Sequence, residues 1–220
     1  MWNGDYLIFF GNLHSTILPL KVIILVNSNL TECVCILDKS GSMYALSKDV
    51  IGGYNKLIDD QKAIPGEANF TLVLFDTQTQ TIYENLPIQK VPKLTDKEYF
   101  PTGATALLDT VGAVITSMGK RLAGTPEEQR PGKVIVAIMT DGEENSSKKF
   151  TKSQIKEMIE TQQKTYKWEF LFIGAGIDAF SEAGGIGISA SCTRSMSHDS
   201  KGMAGTFGGI SARYSATRSR

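Results

Sequence analysis

Thr31-Glu32-Cys33-Val34-Cys35-Ile36-Leu37-Asp38-Lys39-Ser40-Gly41-Ser42-Met43 is the stretch that decides the fold. Cys33 to Leu37 is an unbroken apolar run that ends on a carboxylate, which reads as a strand buried on both faces. Such a strand belongs to a parallel sheet covered by helices on either side. Leu46, Val50, Ile51, Tyr54, Leu57 and Ile58 then recur at helical spacing, so a helix follows the turn. Phe70–Phe75 is another apolar strand. Thr79–Tyr83 alternates with polar residues after the short Asp76-Thr77-Gln78 turn, which predicts an antiparallel hairpin at the sheet edge.

Further along, Leu107, Leu108, Val111, Val114, Ile115, Met118 and Leu122 line one face of a second helix that ends near Gly124 and Pro126. Val134–Met139 is the third buried strand and stops at Thr140-Asp141-Gly142. Ile155, Met158 and Ile159 mark a third helix, Glu169–Ile173 the next strand, and Cys192–Met196 a short last one. The order β-α-β-β-α-β-α-β predicts a doubly wound, Rossmann-like α/β fold: a mostly parallel central sheet, one antiparallel edge strand and helices on both faces. Ligands of such sheets bind beyond the carboxyl ends of the strands, where the strand order reverses.

The 220 residues suit one domain, and 41% apolar with 21% charged is ordinary globular composition. Lys and Arg total 23 and Asp and Glu 23, so a polycation that grips nucleic acid by bulk charge is excluded. Neutrality hides an asymmetry, because residues 194–220 carry Arg194, Lys201, Arg213, Arg218 and Arg220 against Asp199 alone. That stretch reads as a final helix weakened by Gly202, Gly205, Gly208 and Gly209, with a polyanion-binding tail as the sharper alternative. Three cysteines cannot all pair, and Cys33 and Cys35 point the same way from one strand, so a cytoplasmic, reducing compartment fits best.

Residues 30–198 are expected to form the domain, 199–220 a basic C-terminal segment or its last helix, and 1–29 an N-terminal extension. Tyr6–Val26 is the most apolar segment. Asn12, His14, Ser15, Thr16, Pro19 and Lys21 interrupt it, which disfavours a membrane span, and Asp5 replaces the basic start of a signal peptide. An extra strand or hairpin, or residues added by an upstream start, remain. We hypothesise that translation can begin at Leu30 from a non-standard codon; mass spectrometry finding Trp2 or Asn3 in the native protein refutes it.

Polar clusters follow the strands. Asp38-x-Ser40-x-Ser42 places a carboxylate and two hydroxyls on one tight loop, with Gly41 allowing the turn. Thr102-Gly103-Ala104-Thr105 precedes the second helix, and Thr140-Asp141-Gly142-Glu143 follows the third strand. These small oxygen ligands suit Mg²⁺ or Mn²⁺ better than zinc or copper. Two carboxylates meeting at strand ends repel unless a cation sits between them. Taken singly, each part also reads structurally, as a helix cap or a turn former.

Together, Asp38-x-Ser40-x-Ser42, Thr105 in Gly103-Ala104-Thr105-Ala106-Leu107, and Asp141 in Thr140-Asp141-Gly142 resemble the metal-ion-dependent adhesion site of von Willebrand factor type A domains. The likeness runs from about Thr31 to about Ser197. Its surrounding text looks more like intracellular bacterial or phage proteins of this type than like integrins. The resemblance implies that Ser40 and Ser42 hold the ion directly, and that Thr105, Asp38 and Asp141 do so directly or through water. It further implies an open position that an Asp or Glu of a protein partner fills, in a module that is monomeric alone and not an enzyme. Gly103-Ala104 departs from the usual Gly-Gly or Gly-Asn pair, which leaves Thr102 beside the better placed Thr105.

Other signals are weaker. Gly174-Ala175-Gly176-Ile177-Asp178 fails the G-x-G-x-x-G pattern at Ala179 and reads as a turn between strand and helix. Asp38 invites comparison with aspartyl-phosphate enzymes, but Ser40 stands where those place a general acid. A Ser-His-Asp arrangement lacks a base unless His198 folds back, and the default for His198 is a lone surface residue. A metal-dependent hydrolase or nucleotide-binding protein is the alternative function. Another is a subunit of a stress- or tellurite-resistance-type assembly. No membrane or strong nucleic-acid partner is expected.

Overall fold

The computed structural model describes residues 26–175 and 178–220 of the protein. In chain order the elements are β1 (Asn27–Asp38), α1 (Ser47–Lys62), β2 (Glu67–Phe75), β3 (Thr79–Pro87) and α2 (Leu107–Ala123). After them come β4 (Pro131–Thr140), α3 (Lys152–Tyr166), β5 (Glu169–Ala175), α4 (Ala179–Gly185), β6 (Thr193–Met196) and α5 (Ser200–Arg218). They form one six-stranded sheet in the order β3-β2-β1-β4-β5-β6. Only β3 runs antiparallel to its neighbour, β2, as the hairpin reading requires.

Every residue of β1 from Thr31 to Asp38 is buried, because the strand lies at the sheet centre with β2 and β4 on its flanks and helices above and below. Alternation along it feeds two cores. Cys33, Cys35 and Leu37 pack with Val50, Tyr54, Leu57 and Ile58 of α1 and with Met203, Phe207, Ile210 and Tyr214 of α5. Val34 and Ile36 pack on the opposite face with Leu107, Val111, Ile115 and Met118 of α2, Ile155 and Ile159 of α3, and Ala179 and Ala183 of α4. Full burial of one such aliphatic side chain is worth roughly 1.5–3 kcal/mol. The apolar faces read from periodicity are therefore the faces that hold the helices to the sheet.

The chain leaves β1 outward to β2 and β3, then returns to β4 on its other side. The strand order reverses between β1 and β4, and it is beyond the carboxyl ends of such a strand pair that sheets of this kind form their binding crevice. Asp38 and Thr140 are the last residues of these two strands.

Some local details differ from the sequence reading. β1 begins at Asn27, whose N–H donates to Arg130 O at 3.0 Å, so pairing starts three residues before Leu30. The readings for residues 1–25, including the membrane, signal and upstream-start alternatives, lie outside the described residues. So do Gly176 and Ile177, on which the expected turn between strand and helix falls; beyond them Asp178 caps α4 by accepting from Ser181 N–H at 3.1 Å.

Despite its glycines, α5 is a 19-residue helix. The arginines at this end of the chain are engaged within it: Arg213 and, beyond the helix, Arg220 meet Glu169, and Arg218 donates to the carbonyls of Gln61, Ile64 and Gly66 at 2.6–3.1 Å. Among the described residues no helix is long and apolar enough to cross a membrane.

Candidate metal centre

Asp38 enters the crevice with no freedom left. Its Oδ1 accepts the Ser40 N–H at 2.7 Å, its Oδ2 accepts the Thr140 hydroxyl at 2.6 Å, and its carbonyl accepts the Tyr99 hydroxyl at 2.6 Å. The first contact is the Asx turn that the Asp-x-Ser spacing encodes. The second joins the two strand ends across the switch point. The loop continues into a 3₁₀ turn, Gly41–Leu46, which leaves Ser40 buried and Ser42 at the surface with their hydroxyl oxygens 3.1 Å apart. Ser42 then donates to Asp141 Oδ1 at 2.6 Å.

The two threonines of the 102–105 cluster part company. Thr102 donates to Asp76 Oδ2 at 3.1 Å, in a knot where Asp76 also pairs with Lys39 and accepts from Gln78 N–H at 2.8 Å. Burial pushes the Asp76 carboxyl up, but Lys39, Gln78 and Thr102 outweigh it and hold the group below its ordinary range. Thr105 is buried at the crevice, and its N–H donates to Asn145 Oδ1 at 2.9 Å. A Cβ on Gly142 would stand 3.0 Å from Thr105 Oγ1 and 3.8 Å from Ser42 Oγ, so both hydroxyls border the space that glycine leaves open. The left-handed glycine of this region is Gly103, at φ +70°, rather than Gly41. It allows the 102–105 loop to approach the first one, with Gly41 N–H donating to Gly103 O at 3.1 Å.

Neither Thr102 nor Thr105 caps α2. The segment after Asp141 does so instead: Glu144 accepts from Leu108 N–H at 2.8 Å and the Ser147 hydroxyl from Asp109 N–H at 3.0 Å. In return Asp109 accepts the N–H groups of Lys148, Lys149 and Phe150 at 2.8–2.9 Å. These contacts lock the Asp141 loop to the start of the helix that Thr105 leads into.

Asp38, Ser40, Ser42, Thr105 and Asp141 are thus brought to one crevice, as two carboxylates and three hydroxyls. Burial pushes the Asp38 carboxyl up to about 6; bonds from Thr140 and Ser40 act against that rise, and the Asp141 charge adds to it. An acid so desolvated beside another carboxylate is held at an electrostatic cost that a cation would remove. Two oxygens sharing an octahedral ion at about 2.1 Å each lie roughly 3.0 Å apart. The 3.1 Å Ser40–Ser42 separation fits that edge. Among the described residues no three His, Cys, Asp or Glu side chains cluster as a metal site. The donors present are the hard, hydroxyl-rich kind that suits Mg²⁺ or Mn²⁺.

His198 departs from its expected role as a lone surface residue. It does fold back: its Nε2 lies 2.8 Å from Asp141 Oδ2. It meets the carboxylate rather than a serine hydroxyl, so the contact is not a nucleophile–base pair. Nothing in the local sequence points across the 57 positions between them. Thr140, Glu144 and Asn145 did stand inside the quoted motif text, but their partners are 36–102 positions away.

No protein-family model matches the chain, and no curated protein matches its sequence. Solved structures do match in fold. Proximal thread matrix protein 1 of the mussel byssus, with a zinc-occupied MIDAS motif, superposes with a TM-score of 0.58 at 16% identity, over 88% of this chain and 47% of that one. Manganese-loaded TRAP protein of Plasmodium vivax gives 0.58 at 20% identity, over 84% and 74%. A von Willebrand factor type A protein of Catenulispora acidiphila gives 0.56 at 18% identity, over 84% and 42%. The chain spans about half the length of the mussel protein. Sheet order, layering and these superpositions agree: the chain has the fold of a von Willebrand factor type A domain.

Proposed function

We propose that the protein is a metal-dependent protein-interaction module, not an enzyme. In this reading Asp38, Ser40, Ser42, Thr105 and Asp141 hold Mg²⁺ or Mn²⁺, and the metal centre receives an Asp or Glu of a protein partner. The observation that carries it is the convergence of these five side chains at the switch point, with Asp38 buried and desolvated. A bound divalent ion supplies positive charge and a coordination position for an incoming carboxylate. The chain's own part is to fix the oxygens. Ser40 and Asp38 are clamped by the Asx turn and Thr140, Thr105 by Asn145, and Asp141 by Ser42. The zinc-occupied and manganese-loaded structures of similar fold support the metal.

The partner is expected to dock at the same end of the sheet. Of the five large apolar side chains left exposed among the described residues, three serve this reading: Tyr44 follows the first loop, Phe100 precedes the Thr105 loop, and Phe180 stands in the first turn of α4 beyond β5. We place the protein in a reducing, cytoplasmic setting, as a monomer in the absence of its partner. The test is capture of a protein partner from lysate with Mg²⁺, lost on chelation and with Asp38→Ala while the mutant stays folded. Turnover of phosphate esters or nucleotides that disappears in the same mutant would instead make the protein a hydrolase.

A further inference from the structure

We propose that His198 is a positioning residue of the metal centre: its Nε2 holds Asp141 Oδ2, so that Oδ1 stays turned toward Ser42 and the neighbouring hydroxyls. This rests on the metal reading above. The two carboxylate oxygens are shared out cleanly, Oδ1 with Ser42 at 2.6 Å and Oδ2 with His198 at 2.8 Å. The Asp141 side chain is fully buried, whereas the imidazole is 40% exposed and closes over it from outside. A hydrogen bond to the far oxygen of a ligating carboxylate stops its rotation and sets which oxygen faces the ion.

The imidazole is presented by a built support. His198 lies in the three-residue link, 197–199, between β6 and α5. Asp199 caps α5 by accepting Gly202 N–H at 2.7 Å and also accepts the Ser197 hydroxyl at 3.1 Å. Ser200 ties the start of the helix to Asp49 of α1 at 2.9 Å. Gly202 closes the support, because a Cβ there would stand 2.0 Å from Ser197 O. Position 202 therefore controls His198 without touching Asp141.

The test is Mn²⁺ binding to the full chain, followed by the free-ion paramagnetic resonance signal, for wild type, Asp38→Ala, His198→Ala, His198→Gln and Gly202→Ala. The expected result is a loss of affinity of about 10–100-fold in His198→Ala. His198→Gln restores most of it, since an amide N–H also reaches a carboxylate, and Gly202→Ala falls with His198→Ala. Wild-type affinity in His198→Ala, or no recovery in His198→Gln, overturns the proposal. So does a directly bound nitrogen in the spin-echo spectrum of the Mn²⁺ complex, which would make His198 a ligand. Binding by wild type and not by Asp38→Ala, together with an indifferent His198→Ala, sinks this proposal alone. No binding by wild type sinks the metal reading as well. In the metal-free protein, urea midpoints of His198→Ala, Asp141→Asn and the double mutant must be non-additive; additivity denies the contact.

Discussion

Asp38 shows what one buried carboxyl imposes on its surroundings. Its folded pKa, about 6, lies above the ordinary carboxylate value, so the folded state binds the proton more tightly than the unfolded one. This group's contribution is therefore fully present below about pH 4 and is lost as pH rises through about 6. In metal-free protein, Asp38→Asn is expected to be more stable than wild type at pH 7.5 by about 1–3 kcal/mol, the gap closing toward pH 4 in urea titrations. Saturating Mg²⁺ should reverse the order at pH 7.5. The thiols give a second expectation. Burial pushes Cys33 and Cys35 up to about 12, while Cys192 is half-buried, so a thiol reagent at pH 8 should label one cysteine in the native protein and three in denaturant. The gathering of Asp38, Ser40 and Ser42 was legible in the sequence because Asp-x-Ser-x-Ser is a contiguous turn. His198 was not, since only the packing of α5 brings it to Asp141.

Elements carry the next level of order. The strands and long helices could be read from periodicity because each buries one or both faces, and that need is written into neighbouring residues. The docking of the 144–150 segment on α2 could not, since Glu144 and Asp109 exchange partners with backbone groups 36–41 positions away. A helix start with no capping residue of its own was the available clue: Ala106 stands at the cap of α2. Three backbone bonds to Asp109, whose carboxyl they and Lys149 hold below its ordinary range against the opposing effect of burial, make this a charge-assisted clasp. Asp109→Ala and Glu144→Ala are each expected to cost about 1–3 kcal/mol in urea unfolding and to weaken Mn²⁺ binding, because Thr105 and Asp141 lose their shared anchor. Thr102→Ala should leave Mn²⁺ affinity near wild type, whereas Thr105→Ala should lower it.

At the scale of the whole molecule, the proposed metal ligands gather at the carboxyl ends of β1 and β4, and the rest of the fold supports them. Tyr44 and Phe100 are 69% and 61% exposed on loops joined by the bond between Thr102 N–H and Lys39 O at 2.8 Å. Replacing both with Ser should weaken partner capture at least tenfold while Mn²⁺ affinity and thermal midpoint hold, separating the docking face from the metal centre. The charge asymmetry of the sequence finds a structural outlet, since Arg213 and Arg218 of α5, with Arg220 just beyond it, are spent on Glu169 and on the carbonyls that end α1 and lead into β2. Arg218→Ala should therefore destabilise the fold by about 1–3 kcal/mol.

The pairing of β1 with β4 also sets a clock. Asp38 and Thr140 are 102 positions apart. At roughly 5–20 residues per second on the ribosome, the first strand waits on the order of ten seconds for the strand that completes its crevice. In refolding, too, a contact across so long a separation must first meet the entropic cost of closing the loop between its ends. Ion-binding competence should accordingly arise in the slowest refolding phase, making Mn²⁺ uptake a kinetic marker for the finished sheet.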